Sequence, residues 1–156
     1  MSRDLRALTG GLFVLPVVFC VAAAAAPSPA GAALVSVCAF MLLVYASVWF
    51  VWRPSRFTID GEHLRIVWPL RSRAIARRDV VGVRIVDRSE FRRDFGWGVR
   101  IGAGGLWGGF GLLKTRRTTF SMWISRTDRV VLVELRGARP LLVTPEQPER
   151  FVTMLA

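Results

Sequence analysis

The chain of 156 residues has one histidine, one lysine, one tyrosine and two cysteines, with no cysteine after Cys38. The lack of later thiols excludes a disulfide framework and a thiolate metal site from the C-terminal two thirds. His63 stands beside Glu62 with no cysteine near and no spaced carboxylates, so no metal set or acid–base pair is legible. Ser89, Ser121 and Ser125 have no evident base. Catalytic residues, metal ligands and cofactors are therefore not expected, and the chain does not read as an enzyme. Charge is missing as well, but only in one place: residues 8–52 carry none.

What is present divides at that boundary. The mean hydropathy is positive, +0.41, yet the formal charge is +11. The two numbers are compatible once the chain is split, with residues 1–52 at +1 and residues 53–156 carrying 20 basic against 10 acidic groups. The expected domains are thus 1–52, a transmembrane hairpin with spans at about 8–26 and 32–52, and 53–156, a small water-exposed domain with room for one core.

The spans LTGGLFVLPVVFCVAAAAA and AALVSVCAFMLLVYASVWFVW hold 19 and 21 residues, near the roughly 20 that cross a bilayer as helix. Pro16 removes one helical hydrogen bond and predicts a kink. A cleaved signal peptide is the rival reading of the first segment, since Arg3 and Arg6 precede an apolar core ending in alanines. The second, longer span that follows after five residues favours an uncleaved hairpin. The uncharged linker 27–31 fits only a tight turn. Arg3 and Arg6 flank one end and Arg53 and Arg56 the other, so both basic flanks share a side, which the positive-inside rule makes cytoplasmic. Tyr45, Trp49 and Trp52 form an expected aromatic belt. Ala22 to Ala26, Ala32, Ala33 and Ser36 are small enough for close helix approach. Cys20 and Cys38, equally far from the turn, read as small apolar residues. Localisation is expected in a cell inner membrane or plasma membrane, with both termini cytoplasmic.

After Phe57 the period becomes two. Leu64, Ile66 and Trp68 alternate with His63, Arg65 and Val67; Val81, Val83 and Ile85 with Gly82, Arg84 and Val86; Phe120, Met122 and Ile124 with Ser121, Trp123 and Ser125. RVVLVELRG and RPLLVTP, joined by Arg136-Gly137-Ala138-Arg139, read as a hairpin. Asp60-Gly61 and 126–128 mark further corners. No helical stripe is read between Arg53 and Thr144, whereas Phe151, Met154 and Leu155 follow a helix-starting Pro148. The expectation is a single sheet of five to seven antiparallel strands, curled and covered by one helix anchored on Phe151.

The opening FTIDGEHLRI, the middle GWGVRIGAGGLWGGFG and the closing RVVLVELRGARPLLVTPEQPERF resemble, in that order, bacterial pleckstrin-homology-like (PH-like) domains attached to membrane spans. Thr144, Pro145, Glu146, Pro148, Glu149 and Phe151 match the corner that precedes the C-terminal helix in that family. The resemblance covers about 53–156. It implies an all-β, partly open antiparallel PH-like barrel with a C-terminal capping helix behind the hairpin. Many such domains have no assigned activity.

Residues 96–111 contain eight glycines with Trp97 and Trp107 interleaved. Lys114-Thr115 then enters a strand rather than a helix, so the phosphate-loop pattern is not met. Close strand approach explains the glycines; an interfacial loop built from Leu106, Trp107, Phe110, Leu112 and Leu113 beside Lys114, Arg116 and Arg117 is the other reading. Arg71, Arg73, Arg77, Arg78, Arg88, Arg92 and Arg93 extend the basic surface, with Asp79, Asp87, Glu90 and Asp94 as available partners. Contact with the membrane surface or a partner is thus expected at Arg71, Arg73, Arg77, Arg78, Arg92, Arg93, Trp107, Phe110, Lys114, Arg116 and Arg117. The partners expected are the lipid bilayer, a membrane protein or second copy, and anionic lipid headgroups. Nucleic acid is not expected, because no reading element accompanies the charge. Protein scaffolding leads over lipid sensing, since the hairpin already supplies attachment.

Overall fold

A computed structural model describes residues 3–126 and 129–156, with side chains from Ala7 onward. Two antiparallel helices open the chain, α1 (Arg3–Ala25) and α2 (Ser28–Ser47), the second prolonged by a π-helical turn, Val48–Trp52. Both contain a stretch long and apolar enough to cross a membrane, Ala7–Ala25 and Ser28–Trp52. The connection is shorter than the expected 27–31. Pro29 sits within the first turn of α2, where a missing N–H costs nothing, so the helix begins at Ser28. Near the turn the helices meet at Gly31, where a Cβ would lie 3.0 Å from the Ala23 carbonyl. The Cys20 and Cys38 sulfurs face each other at 3.2 Å as free thiols.

The expected single sheet is two sheets. A three-stranded antiparallel sheet holds β1 (Arg56–Ile59), β2 (His63–Val67) and β3 (Ser72–Ala76) in that order. A six-stranded sheet holds β4 (Val80–Asp87), β5 (Gly98–Gly104), β6 (Gly109–Thr115), β7 (Thr119–Ile124), β8 (Arg129–Leu135) and β9 (Leu141–Val143) in the order β4-β8-β9-β7-β6-β5. The 3-10 turn Arg77–Asp79 carries the chain from one sheet to the other. Strand β9 pairs antiparallel with β8, as the hairpin reading required, and lies parallel to β7. The expected corner at 126–128 falls partly outside the described residues.

The inward faces of both sheets share one core. Leu64, Ile66 and Trp68 meet Val131, Val133, Leu141 and Val143, and the helix α4 (Pro148–Leu155) closes the end with Phe151 and Leu155. Phe57 meets the Phe151 ring edge-on at 6.3 Å. The alternation read for β4 fails at Val81, which is exposed. Val83 and Ile85 face the core as read, but a register shift between Val80 and Gly82 puts Val80 there in place of Val81.

The second departure is a helix, α3 (Arg88–Phe95), where no stripe was read. Its signals are local. The Asp87 carboxylate caps the helix by accepting from the Glu90 N–H at 2.8 Å, and Gly96 ends it at φ 73°. Phe91 and Phe95, four residues apart, then pack on Phe120 over the outer face of the six-stranded sheet. Arg84 on β4 holds α3 down by donating to Glu90 at 2.8 Å and Asp94 at 3.0 Å. Only Phe91 and Phe95 are apolar among its eight residues, too few for a hydrophobic period to stand out, which is why only the cap and the paired phenylalanines could have shown it.

Phe151→Ala removes the ring that joins α4 to both sheets and should cost about 3–5 kcal/mol, read by denaturation of the full chain in detergent. The Glu90 N–H and the Ser89 hydroxyl together hold the Asp87 carboxyl below its usual range. A lowered folded value means that the cap stabilises fully above the unfolded value, about 4, and loses its contribution as pH falls through the lower folded one. Asp87→Ala should therefore lower the melting temperature at neutral pH and make the loss between neutral pH and pH 3 smaller than in the parent chain.

Candidate functional site

The β-domain is joined to the two helices at two places, each supplying what a backbone lacks. At the C-terminus of α2 the last carbonyls have no helical donor. The turn between β2 and β3 provides donors: the Trp68 indole N–H reaches the Trp52 carbonyl at 3.2 Å, and the Arg71 guanidinium reaches the Val51 carbonyl at 3.3 Å. The guanidinium of Arg71 also lies 4.6 Å from the centre of the Trp68 ring system, and that of Arg53 lies 4.2 Å from Trp49. Burial lowers the Arg53 pKa below its ordinary value.

The second junction is the tip of the β5–β6 hairpin. Gly105 adopts φ 98° and closes a tight turn, donating to the Gly108 carbonyl at 3.0 Å. The Thr9 hydroxyl on α1 donates to the Gly105 carbonyl at 3.0 Å and accepts from the Trp107 N–H at 3.1 Å. The Trp107 ring sits edge-on between Phe13 of α1, at 5.6 Å, and Trp49, at 4.8 Å. Leu106 and Phe110 are buried with Tyr45 and Val48. Within the helix pair, Pro16 has no N–H to offer the carbonyl four residues back. The Tyr45 hydroxyl donates to that carbonyl, on Leu12, at 2.6 Å.

Glycine lets β5 and β6 approach at their centre, where Gly102 and Gly111 are partners and a Cβ on Gly111 would lie 3.0 Å from the Gly102 Cα. Close strand approach, one of the two readings of the glycines, therefore holds along this hairpin, and its tip packs against the apolar helices. Strand β5 is one edge of the six-stranded sheet, β4 being the other, and among the described residues its outer side is unpaired. It carries Val99 and Ile101, 69% and 55% exposed, preceded by Trp97 at 76%.

The eleven residues expected to make surface contacts are dispersed. Arg71 caps α2, and Phe110 is an internal contact between domain and helices. Arg73 is exposed on β3, while Arg77 and Arg78 lie in the 3-10 turn, with Arg77 half-buried. Arg92 stacks on Trp97 at 4.3 Å, and Arg93 is exposed, 4.0 Å from Asp94. Lys114, Arg116 and Arg117 are exposed at the far end of β6 and its turn. At about 3.3 Å per strand residue, Arg116 stands roughly 20 Å along the hairpin from Phe110. The apolar and basic halves of the expected loop are therefore at opposite ends of one β-hairpin. Sequence reasoning did not assign Thr9, Trp68 or the β5 edge. Only the edge left a signal, the alternation of Val99 and Ile101 within GVRIGAG.

Tyr45→Phe leaves the Leu12 carbonyl unpartnered and should destabilise the full chain in detergent by about 1–3 kcal/mol. Pro16→Ala restores an intrahelical donor to that carbonyl, so the same Tyr45 change should cost less in the Pro16→Ala background. A double-mutant cycle of thermal or denaturant unfolding measures that difference.

A family model described as Bacterial PH domain matches residues 55–156, from the strand that opens the three-stranded sheet to the end of α4. No curated protein and no solved structure matches the chain. Domains of this kind are typically non-enzymatic. Two sheets sharing a core closed by a C-terminal helix are consistent with a PH-like domain, although the resemblance implied one curled sheet, and the match spans both sheets and that helix. The chain belongs to the bacterial PH domain family.

Proposed function

We propose that the protein is a membrane-anchored PH-like module that holds a partner protein at the cytoplasmic membrane face. The observation carrying this reading is the β5 edge, a strand whose outer side has no partner among the described residues, with exposed Trp97, Val99 and Ile101. An unpaired apolar edge is a template for strand addition or side-chain docking, and soluble domains usually cover one with charge or another element. The membrane anchor is supported by the helices themselves: only 11% and 17% of their apolar windows are buried, so the rest needs an apolar solvent. The arginines at 3, 6, 53 and 56 support a cytoplasmic domain. With both helices docked to the domain, the partner surface would be held at fixed orientation to the bilayer.

A second reading, anionic-lipid sensing, draws on the exposed arginines, which gain about 1 kcal/mol each near an anionic leaflet. The two readings separate by what touches β5. A photoactivatable amino acid replacing Val99 in the full chain, irradiated in native membranes, should yield a discrete protein–protein adduct that Ile101→Asp removes. Adducts with lipid alone would reverse the order of the two readings. A reporter active on one side of the membrane, fused to the C-terminus, should report the cytoplasmic side; activity on the other side would overturn the orientation.

A further inference from the structure

The outer face of the six-stranded sheet is only partly covered by α3. Between α3 and the start of β5 a cleft of about 360 Å³ remains. Its floor is apolar: Val86, Met122, Ile124, Val130 and Leu142. Its walls carry Arg88, Arg92 and Arg100. The one wall carboxylate, Asp87, is committed to capping α3 and to the Ser89 hydroxyl. Arg88 and Arg100 make no ion pair or hydrogen bond among the described residues, and Arg92 has only the Trp97 ring. Two guanidinium groups are thus free at an apolar cleft.

Register places the cleft relative to the anchor. Gly109, next to the docked tip, pairs with Ile124; Trp123 pairs with Val143, Val143 with Val131, and the neighbouring Val130 with Val86. Ile124, Val130 and Val86 therefore form the end row of the floor on the side of α1 and α2. Arg100 starts four residues up β5, but its side chain runs back along the hairpin toward the same end. Its guanidinium nitrogen lies 2.9 Å from where a Cβ on Gly104 would stand and 3.2 Å from the same point on Gly109. Glycine at both positions leaves the path for this side chain open. Arg88, in the first turn of α3 just beyond the paired end of β4, lies at that end as well.

We infer that this cleft takes one acyl chain of an anionic amphiphile from the adjacent leaflet, with its phosphate between Arg88 and Arg100. The inference rests on the reading of α1 and α2 as membrane helices and is independent of what binds β5. A volume at the low end of the roughly 300–1,000 Å³ typical of ligand pockets fits one chain rather than two. An apolar floor recognises the chain and discriminates poorly among its lengths, while guanidinium forks recognise phosphate. The docked tip fixes the mouth at the level where lipid headgroups meet the first turns of α1, so a chain can enter without crossing water.

The test uses the full chain in phosphatidylcholine nanodiscs and a diazirine-bearing lysophosphatidylglycerol, with labelled peptides mapped by mass spectrometry. Labelling should appear on β7, β8 and β9 at Met122, Val130 or Leu142 as well as on α1 and α2. Arg88→Gln with Arg100→Gln should lower the sheet labelling about tenfold or more, as loss of charge-assisted phosphate contacts implies, without changing labelling of the helices. The matching lysophosphatidylcholine probe, which offers the same chain with a neutral headgroup, should label the sheet correspondingly less. Val130→Trp, at a half-buried position, should fill the floor and abolish sheet labelling by either probe. Melting curves establish that each variant is folded. Labelling confined to the helices, or sheet labelling indifferent to both arginines and to headgroup charge, would overturn the inference. Helices left unlabelled would instead overturn the membrane reading beneath it.

Discussion

A carbonyl left without a donor between apolar helices costs about 1–3 kcal/mol, and Pro16 creates one at Leu12. The Tyr45 hydroxyl answers it from the other helix. The same requirement recurs wherever the hairpin and the β-domain meet. The carbonyls of Val51 and Trp52 end a helix and need donors, which come from Arg71 and Trp68 of the domain. The Gly105 carbonyl and the Trp107 N–H end a β-hairpin and need partners, which both come from the Thr9 hydroxyl of α1. Each half of the molecule thus completes the hydrogen bonding of the other. Where water is scarce such bonds are stronger and their loss is dearer, so they orient the domain as well as attach it.

Orientation has consequences for what the surface can do. With the β5–β6 tip fixed between Phe13 and Trp49, strand β5 runs away from the helices with its outer edge unpaired among the described residues, and the floor of the α3 cleft reaches the same end of the sheet at Ile124, Val130 and Val86. The large positive charge does not form one patch. Part is consumed internally, by Arg71 on α2 and by Arg84 on α3, and part is displaced to the Lys114–Arg117 turn at the far end of the hairpin. What remains near the tip is a small set with free guanidinium groups, Arg88 and Arg100. Specificity at such a surface comes from placement rather than from total charge, because exposed charges separated by more than a Debye length, about 8–10 Å, are largely screened.

The glycines have two functions along a single hairpin. In the middle, Gly102 and Gly111 face each other where side chains would collide. At the tip, Gly105 takes a left-handed backbone that L-residues avoid. The intervening positions that lack a Cβ, Gly104 and Gly109, also leave a channel for the Arg100 side chain. Close strand approach describes the middle of this element, a regular hairpin whose apolar end is docked against α1 and α2.

Sequence by itself marked the change from apolar helix, ending at Trp52, to strand, because a run without charge and long enough to span a bilayer cannot be mistaken for the alternating strands after it. It also determined most strands, the β8–β9 hairpin and α4 with Phe151, since period-two patterns with buried faces and a proline-started helix are local signals with large burial energies behind them. Tertiary structure decided the rest. Two sheets instead of one followed from the turn at 77–79 and the shared core. The face of Val81 followed from a bulge, which slips the alternation without changing composition. Helix α3 has a local cap, but the two phenylalanines and Arg84 hold it through contacts that exist only when the sheet is beneath it. The destinations of Arg71, Trp107 and Arg100 were invisible for the same reason: a side chain that satisfies a distant carbonyl, wedges between two helices or lies along a glycine channel leaves no periodic trace in its own segment.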